Sequence, residues 1–246
     1  MRDSVRHFVA EFIGTFALVF VGGAAIMIAK DTNSPAGLIG IALAHGLILA
    51  VMVSALMRIS GHFNPAVTLG FLATRRIDTS MAGVYILGQL IGGIVGAYAL
   101  KMTFPFTLFE VTRGGGQAIA LQVTGGQAFV LEAIATFFLA IVIFGTAVDP
   151  KAPKLGGLAI GFVVAADILA IGPLTGASMN PARSFGPAVA SGIFEAQLIY
   201  WIAPITGAVL ASLIYEHLFL PREVEPVTHG TLRPAATKRD RSLDDH

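Results

Sequence analysis

The chain has 246 residues, of which 55% are hydrophobic and only 13% are charged, and its net charge is +1. Because a soluble globular domain has roughly 25% charged residues, this composition excludes an ordinary soluble protein and indicates a membrane protein. The absence of cysteine also excludes disulfides, thiol catalysis and thiolate metal sites.

Six stretches of the chain are long and apolar enough to cross a bilayer as helices, which takes about 20 residues each. They lie at about residues 8–29, 37–57, 80–101, 127–147, 155–172 and 197–219. The first follows Arg2 and Arg6, as the apolar part of a signal peptide would. It runs too long for one and lacks a small-residue cleavage site, so we expect a retained helix. The sequence thus predicts an all-α membrane protein.

Two shorter segments between these stretches are near copies of each other. His62–Gly70 reads HFNPAVTLG and Ser178–Gly186 reads SMNPARSFG. In each, proline suits the first turn of a helix, and the asparagine before it, Asn64 or Asn180, can cap that helix. Each segment is too short to span the membrane, so it must be buried in protein or line a wet cavity. The pair predicts two re-entrant half-helices.

The two halves of the chain repeat the same order of elements. Glu11 opens the first half and Glu132 the second, and they precede the asparagines of their half-helices by 53 and 48 residues, respectively. The repeat covers about residues 8–101 and 127–219. Three spans in each half invert the second half, so the half-helices enter from opposite faces with their amino ends pointing at each other.

Two opposed helix amino ends would make the centre of the membrane electropositive, because each carries unsatisfied amides and about half a positive charge. The side-chain amides of Asn64 and Asn180 could also donate to a passing water and break the orientation that a proton relay needs. Arg183 would cost about 3 kcal/mol or more if it faced lipid, so we expect it to face this pathway and to be held by backbone carbonyls.

Lysine and arginine are distributed unevenly between the connections, which predicts the orientation. One side has Arg2, Arg6, Arg75, Arg76, Lys151, Lys154, Arg222, Arg233, Lys238, Arg239 and Arg241, and the other has Lys30, Lys101 and Arg113. This bias predicts that both termini are cytoplasmic. The polar, proline-containing end at residues 221–246 is predicted to be a disordered cytoplasmic tail after a single domain at residues 1–220.

The paired motifs resemble those of the aquaporin or major intrinsic protein family over about residues 8–220. The motif residues are Asn64, Pro65, Ala66, Asn180, Pro181 and Ala182. The resemblance implies the aquaporin fold and a passive channel that excludes protons and ions, with no cofactor and no enzymatic activity. It also implies a homotetramer in the lipid bilayer, with a pore in each subunit, for water and small neutral solutes and without a nucleic-acid partner.

The resemblance also assigns a selectivity filter and its surroundings. The filter residues carried over by position are His45, Ile168, Ala177 and Arg183. Water-selective members usually have an aromatic residue on the second helix and a histidine on the fifth. This set is more similar to plant tonoplast intrinsic proteins and to ammonia-conducting aquaporins, which implies passage of ammonia and leaves urea and hydrogen peroxide as further solutes. Glu11, Glu132 and His62 are assigned as pore scaffold. Gln117 would be a fifth lining residue if the third connection folds into the outer mouth.

Two other functions stay open at this point. One is a strictly water-selective aquaporin. The other is a proton-coupled secondary transporter, since inverted repeats and broken helices occur there too. A carrier needs a titrating acid in its pathway, and Asp167 is the only acid without an assigned role. Asp167 could equally hold an outer connection or tune His45.

Overall fold

The computed structural model describes residues 2–31, 37–153 and 155–220, and within them six helices are long and apolar enough to cross a membrane. These are α1 (Arg2–Asp31), α2 (Gly37–Leu56), α4 (Thr79–Thr103), α6 (Gly125–Ile143), α7 (Leu158–Thr175) and α9 (Gln197–Ile214). The half-helices are α3 (Pro65–Ala73) and α8 (Pro181–Ser191), and a short α5 (Phe106–Thr112) lies in the third connection. The all-α inverted repeat is thus confirmed. The predicted tail at residues 221–246 and Lys154 lie outside the described residues.

The ends of the spans differ from the prediction where hydropathy is uninformative. Helix α1 begins at Arg2 rather than near residue 8, because its first polar turns continue the helix. There Arg6 lies 3.5 Å from Asp3, and the Nδ1 atom of His7 lies 2.7 Å from the Asp3 carbonyl oxygen. Helices α6 and α9 each continue into one π-helical turn, Phe144–Val148 and Tyr215–Phe219.

Glycines let the long helices of each half approach closely. A Cβ atom at Gly92 on α4 would lie 2.4 Å from the Phe12 carbonyl oxygen on α1. In the second half, a Cβ atom at Gly207 on α9 would lie 2.0 Å from the Ala133 carbonyl oxygen on α6. Only glycine fits at such distances, so backbone contact joins the first and last long helix of each half in the same way.

Each half-helix packs against the last long helix of the other half, α3 against α9 and α8 against α4. At the second of these contacts, a Cβ atom at Gly93 on α4 would lie 2.7 Å from the Ala182 carbonyl oxygen. The two halves are therefore interlocked at their centres. This interlocking brings the amino ends of α3 and α8 together.

Candidate functional site

The two Asn-Pro-Ala motifs form matching helix caps. The Oδ1 atom of Asn64 accepts a 2.9 Å hydrogen bond from the Ala66 amide, and that of Asn180 accepts one of 2.9 Å from the Ala182 amide. Pro65 and Pro181 are the first residues of α3 and α8, where no amide hydrogen is needed. Each asparagine thus satisfies part of the free amino end of its own half-helix.

The asparagines also bind across the junction, each to the other half. The Nδ2 atom of Asn64 donates to the Met179 carbonyl at 2.7 Å, and that of Asn180 donates to the Phe63 carbonyl at 2.8 Å. A carboxamide carries two N–H groups, and the contacts of the described residues occupy one on each side. The other N–H of each amide remains for a molecule in the cavity that both asparagines line.

The residues just before the asparagines have an uncommon backbone conformation. Phe63 has φ 49° and Met179 has φ 52°, in the left-handed region that large side chains rarely adopt. This conformation turns their carbonyls toward the opposite asparagine. It has to be held by other contacts, because such residues cost of order 1–3 kcal/mol each.

Two buried glutamates supply those contacts. Glu11 accepts from the His62 amide at 2.9 Å and from the Phe63 amide at 2.6 Å. Glu132 accepts from the Ser178 amide at 2.9 Å and the Met179 amide at 2.8 Å. Both glutamates are fully buried, and each binds the two backbone amides that precede its asparagine. The two halves are equivalent in this respect.

Several further polar side chains complete this arrangement and were not singled out from the sequence. In the first half, Ser60 and Gln89 donate to the Glu11 carboxylate, and Gln89 also donates to the Thr68 hydroxyl at 2.9 Å. His62 lies nearby and lines the cavity, with its Nδ1 atom 3.1 Å from that same hydroxyl. Gln89 is a polar residue within an apolar helix, which is the signal that could have revealed it.

The second half uses hydroxyl groups instead of an amide side chain. The Thr175 hydroxyl donates to Glu132 at 2.7 Å, and the Tyr200 hydroxyl donates to the Thr175 carbonyl at 2.7 Å. Thr175 is the last residue of α7, and Tyr200 lies on α9. The connection that leads to Asn180 is thus tied to three long helices. Nothing in the spacing of these residues along the sequence reveals the contact.

Arg183 lies in the first turn of α8 and is only 5% exposed. Its Nη1 atom donates to the Ala177 carbonyl at 2.7 Å, with longer contacts of 3.4 Å to the Gly176 and Ser178 carbonyls. Its Nη2 atom lies 3.0 Å from the Nε2 atom of His45. The guanidinium is therefore held by backbone carbonyls on one side and by an imidazole on the other.

The contacts of His45 determine its protonation state. Its Nδ1 atom lies 2.8 Å from the Ile41 carbonyl oxygen, so Nδ1 must carry the hydrogen. Arg183 can only donate, so Nε2 must be the acceptor. The imidazole is therefore neutral. It is 1% exposed and lies against the Nη2 side of the Arg183 guanidinium.

Two cavities meet at this arginine. The inner cavity, whose walls include His62, Val67, Ala177 and the asparagines of both half-helices, is small, with a volume of about 30 Å³. The outer cavity, whose walls include Gln117 and Gly172, is larger, at about 240 Å³. Ile168 and Arg183 line both cavities. The two cavities therefore adjoin at these two side chains.

Two other residues noted from the sequence lie close to this boundary. Gln117 is 8% exposed, lines the outer cavity and donates weakly to the Gly115 carbonyl at 3.4 Å. Asp167 precedes Ile168 on α7 and is 8% exposed, and its Oδ2 atom has no hydrogen-bond partner among the described residues. Asp167 does not belong to the residues that line either cavity in the described part of the chain.

Comparison with known proteins identifies relatives along nearly the whole chain. A family model described as major intrinsic protein matches residues 1–215. A probable aquaporin TIP3-2 from Arabidopsis thaliana is 41% identical over 248 aligned positions, which cover 95% of this chain and 91% of the relative. Aquaporin TIP2-1 from Zea mays is 44% identical over 230 positions and 88% of each chain. The X-ray structure of the aquaglyceroporin from Plasmodium falciparum has a TM-score of 0.79 at 25% identity, covering 87% of this chain and 96% of that one.

Proposed function

Since this chain belongs to the major intrinsic protein family, whose members are passive membrane channels and not enzymes, we propose that it conducts water and neutral ammonia while excluding protons and other ions. One observation carries the choice of solute. The apolar Ile168 and the cationic Arg183 both line the inner and the outer cavity, at the place where the two cavities adjoin. A solute that passes there meets donors on one side and hydrocarbon on the other.

A boundary that is apolar on one side favours ammonia more than a boundary lined only by polar groups would. A small solute entering it gives up part of its hydration and regains hydrogen bonds only from the Arg183 side. Neutral ammonia is nearly the size of water and less strongly hydrated, so it loses less on entry. Urea and hydrogen peroxide are further neutral solutes that a filter of this composition can accept. Ammonium is excluded, because a cation is repelled by Arg183.

The exclusion of protons is supported by the two half-helices. Their amino ends meet at the asparagines, so two helix dipoles place positive charge at one point in the inner cavity. Asn64 and Asn180 each have an N–H group for a water oxygen there. A water bound by both amides directs its own hydrogens away from them along the channel, which interrupts a proton relay.

The remaining assignments belong to the same proposal. We assign Gln117 as a fifth lining residue, because it lies in the wall of the outer cavity beside Arg183. The channel domain comprises residues 1–220, with both termini on the cytoplasmic side and a cytoplasmic tail at residues 221–246. Four copies form a tetramer, each with its own pore. The basic residues of the predicted cytoplasmic connections, such as Arg75 and Arg76, support this orientation.

The test uses purified protein in proteoliposomes, compared with protein-free vesicles. Osmotic shrinkage followed by light scattering should be faster with the protein, with a low activation energy and no saturation. An inward ammonium gradient should raise the internal pH faster than in empty vesicles. Water flow without extra ammonia flux would instead support a strictly water-selective aquaporin. Saturable transport coupled to a proton gradient would contradict the channel and would favour a carrier in which Asp167 titrates.

A further inference from the structure

The recess that holds His45 is formed by a glycine on another helix. Gly22 lies on α1 and is buried. A Cβ atom built on Gly22 would lie 2.2 Å from the Nε2 atom of His45 and 2.4 Å from its Cδ2 atom. These distances are far inside van der Waals contact. The imidazole therefore occupies the space that any other residue at position 22 would fill.

The atom nearest to Gly22 is also the atom that binds the arginine. Nε2 of His45 lies 3.0 Å from the Nη2 atom of Arg183. The opposite ring nitrogen is fixed by its 2.8 Å hydrogen bond to the Ile41 carbonyl. A methyl group at position 22 cannot be accommodated by a small rotation of the ring without disturbing one of these two contacts.

We propose that Gly22 is a positioning residue of this channel, which acts through His45 on Arg183. This inference rests on the proposed function and adds a residue that does not itself line the pathway. With glycine at position 22, the neutral imidazole lies in the space beside α1 that a larger residue would fill. From there it holds the guanidinium away from Ile168. With a larger residue, the ring is pushed toward Arg183, and the guanidinium moves into the boundary between the two cavities.

Because His45 is buried, its imidazole ring can move in few directions. His45 is 1% exposed, so it is enclosed on every side. The next residue on α2 is fixed as well, because a Cβ atom at Gly46 would lie 2.5 Å from the Gly161 carbonyl oxygen on α7. Helix α2 therefore cannot shift toward α7 to make room. The side of the ring that can yield is the one facing the arginine.

The experiment compares Gly22→Ala with Gly83→Ala in proteoliposomes that contain equal amounts of folded protein. Gly83 lies on α4, and an added Cβ atom there meets nothing within 4 Å, so this variant controls for a glycine-to-alanine change in a membrane helix. We expect Gly22→Ala to lower water permeability roughly tenfold, which corresponds to about 1.4 kcal/mol of added barrier. Gly83→Ala should match the wild type. Equal permeability of both variants would overturn the inference.

A double variant tests whether the effect passes through the imidazole. His45→Ala removes the ring, so adding Gly22→Ala to it should change neither the yield of folded protein nor the permeability further. The double variant also covers the case in which Gly22→Ala alone does not fold, because it removes the clash. If Gly22→Ala reduces permeability or yield by the same factor with and without His45, the inference is wrong.

A spectroscopic measurement separates this inference from the proposed function. Solid-state nitrogen NMR of labelled wild-type protein should show His45 as a neutral ring with the hydrogen on Nδ1, and its Nε2 signal should shift in Gly22→Ala. An unchanged His45 signal would overturn the role of Gly22 even if the channel conducts as proposed. A wild-type protein that conducts no water would contradict the proposed function, whereas the shifted signal would still support the contact.

Discussion

The two regions that meet at the amino ends of the half-helices have equivalent backbone arrangements and differ in some of their side chains. In both, a buried glutamate binds the two amides before the asparagine, and the asparagine amide binds the carbonyl of the opposite left-handed residue. Three residues after the asparagine the regions differ, since Val67 stands in the first and Arg183 in the second. Both side chains line the inner cavity.

The shared and the unshared features of the two regions have different roles. The features that both regions share produce the paired helix ends and the donors that face the centre. The features found only in the second region, Arg183 with Ala177 and Ile168 nearby, produce a boundary with one charged and one apolar wall. Under the proposed function, the repeated features form the central barrier to protons, and the unrepeated Arg183 and Ile168 add a charge barrier and select among neutral solutes.

The largest effect should come from breaking what the regions share. Glu11→Gln and Glu132→Gln should each sharply reduce the yield of folded protein, because one buried amide then faces an NH₂ group and the left-handed residue loses its anchor. The loss of such a buried acceptor costs about 1–3 kcal/mol. Yield and monodispersity on gel filtration measure the effect. Glu110→Gln, at an exposed carboxylate on α5, is the matched control and should fold normally.

A well-folded Glu11→Gln or Glu132→Gln protein with unchanged water flow would show that the amides do not depend on the carboxylate. A well-folded variant that selectively lost proton-coupled transport would favour the carrier alternative.

The next effect should come from making the second region resemble the first. Arg183→Val gives the second region the same residue that the first region has at the equivalent position, Val67. The charge barrier at the boundary is then lost, whereas the asparagines and the helix amino ends are unchanged. Water flow should remain substantial, and proton or cation leakage under an imposed gradient should rise measurably. The control is Arg6→Val, which removes an exposed arginine of α1 that lies 3.5 Å from Asp3. Leakage equal to that of the wild type would mean that Arg183 is not this barrier.

A smaller and more specific effect should follow from changing the walls of the boundary. The double change His45→Phe and Ile168→His replaces the apolar wall by an imidazole, and it replaces the imidazole beside Arg183 by a larger phenyl ring that cannot accept a hydrogen bond from the guanidinium. Ammonia flux, and any urea flux, should fall relative to water flow, because the passage becomes narrower and more polar. Parallel stopped-flow measurements of vesicle shrinkage and of internal pH give this ratio. Retention of the full ammonia flux would show that Ile168 does not set the choice of solute.

The smallest effect should come from the hydroxyl contact that only the second region has. Tyr200→Phe removes the 2.7 Å hydrogen bond to the Thr175 carbonyl and should lower the free energy of unfolding by about 1 kcal/mol. A thermal melt in detergent measures this change. Tyr98→Phe, on the exposed side of α4, is the control and should melt with the wild type. Identical melting of both variants would mean that the Tyr200 contact contributes nothing to stability.

The sequence by itself determined the elements and their order. The six spans follow from the length of apolar stretches, and the half-helices follow from asparagine and proline next to each other, because capping depends on neighbouring residues. The inversion of the second half follows from the odd number of spans. The start of α1 was missed because its polar first turns leave no hydropathy signal, and α5 was missed because its 7 residues are too few to form a span.

Only the tertiary structure decided how distant residues meet. Asn64 binds a carbonyl 115 positions away, and Arg183 meets His45 across 138 positions. No local pattern encodes such contacts, since they depend on how closely the helices pack. For the same reason the sequence did not reveal that His45 lies against Arg183 in a recess that exists because Gly22 on another helix has no side chain.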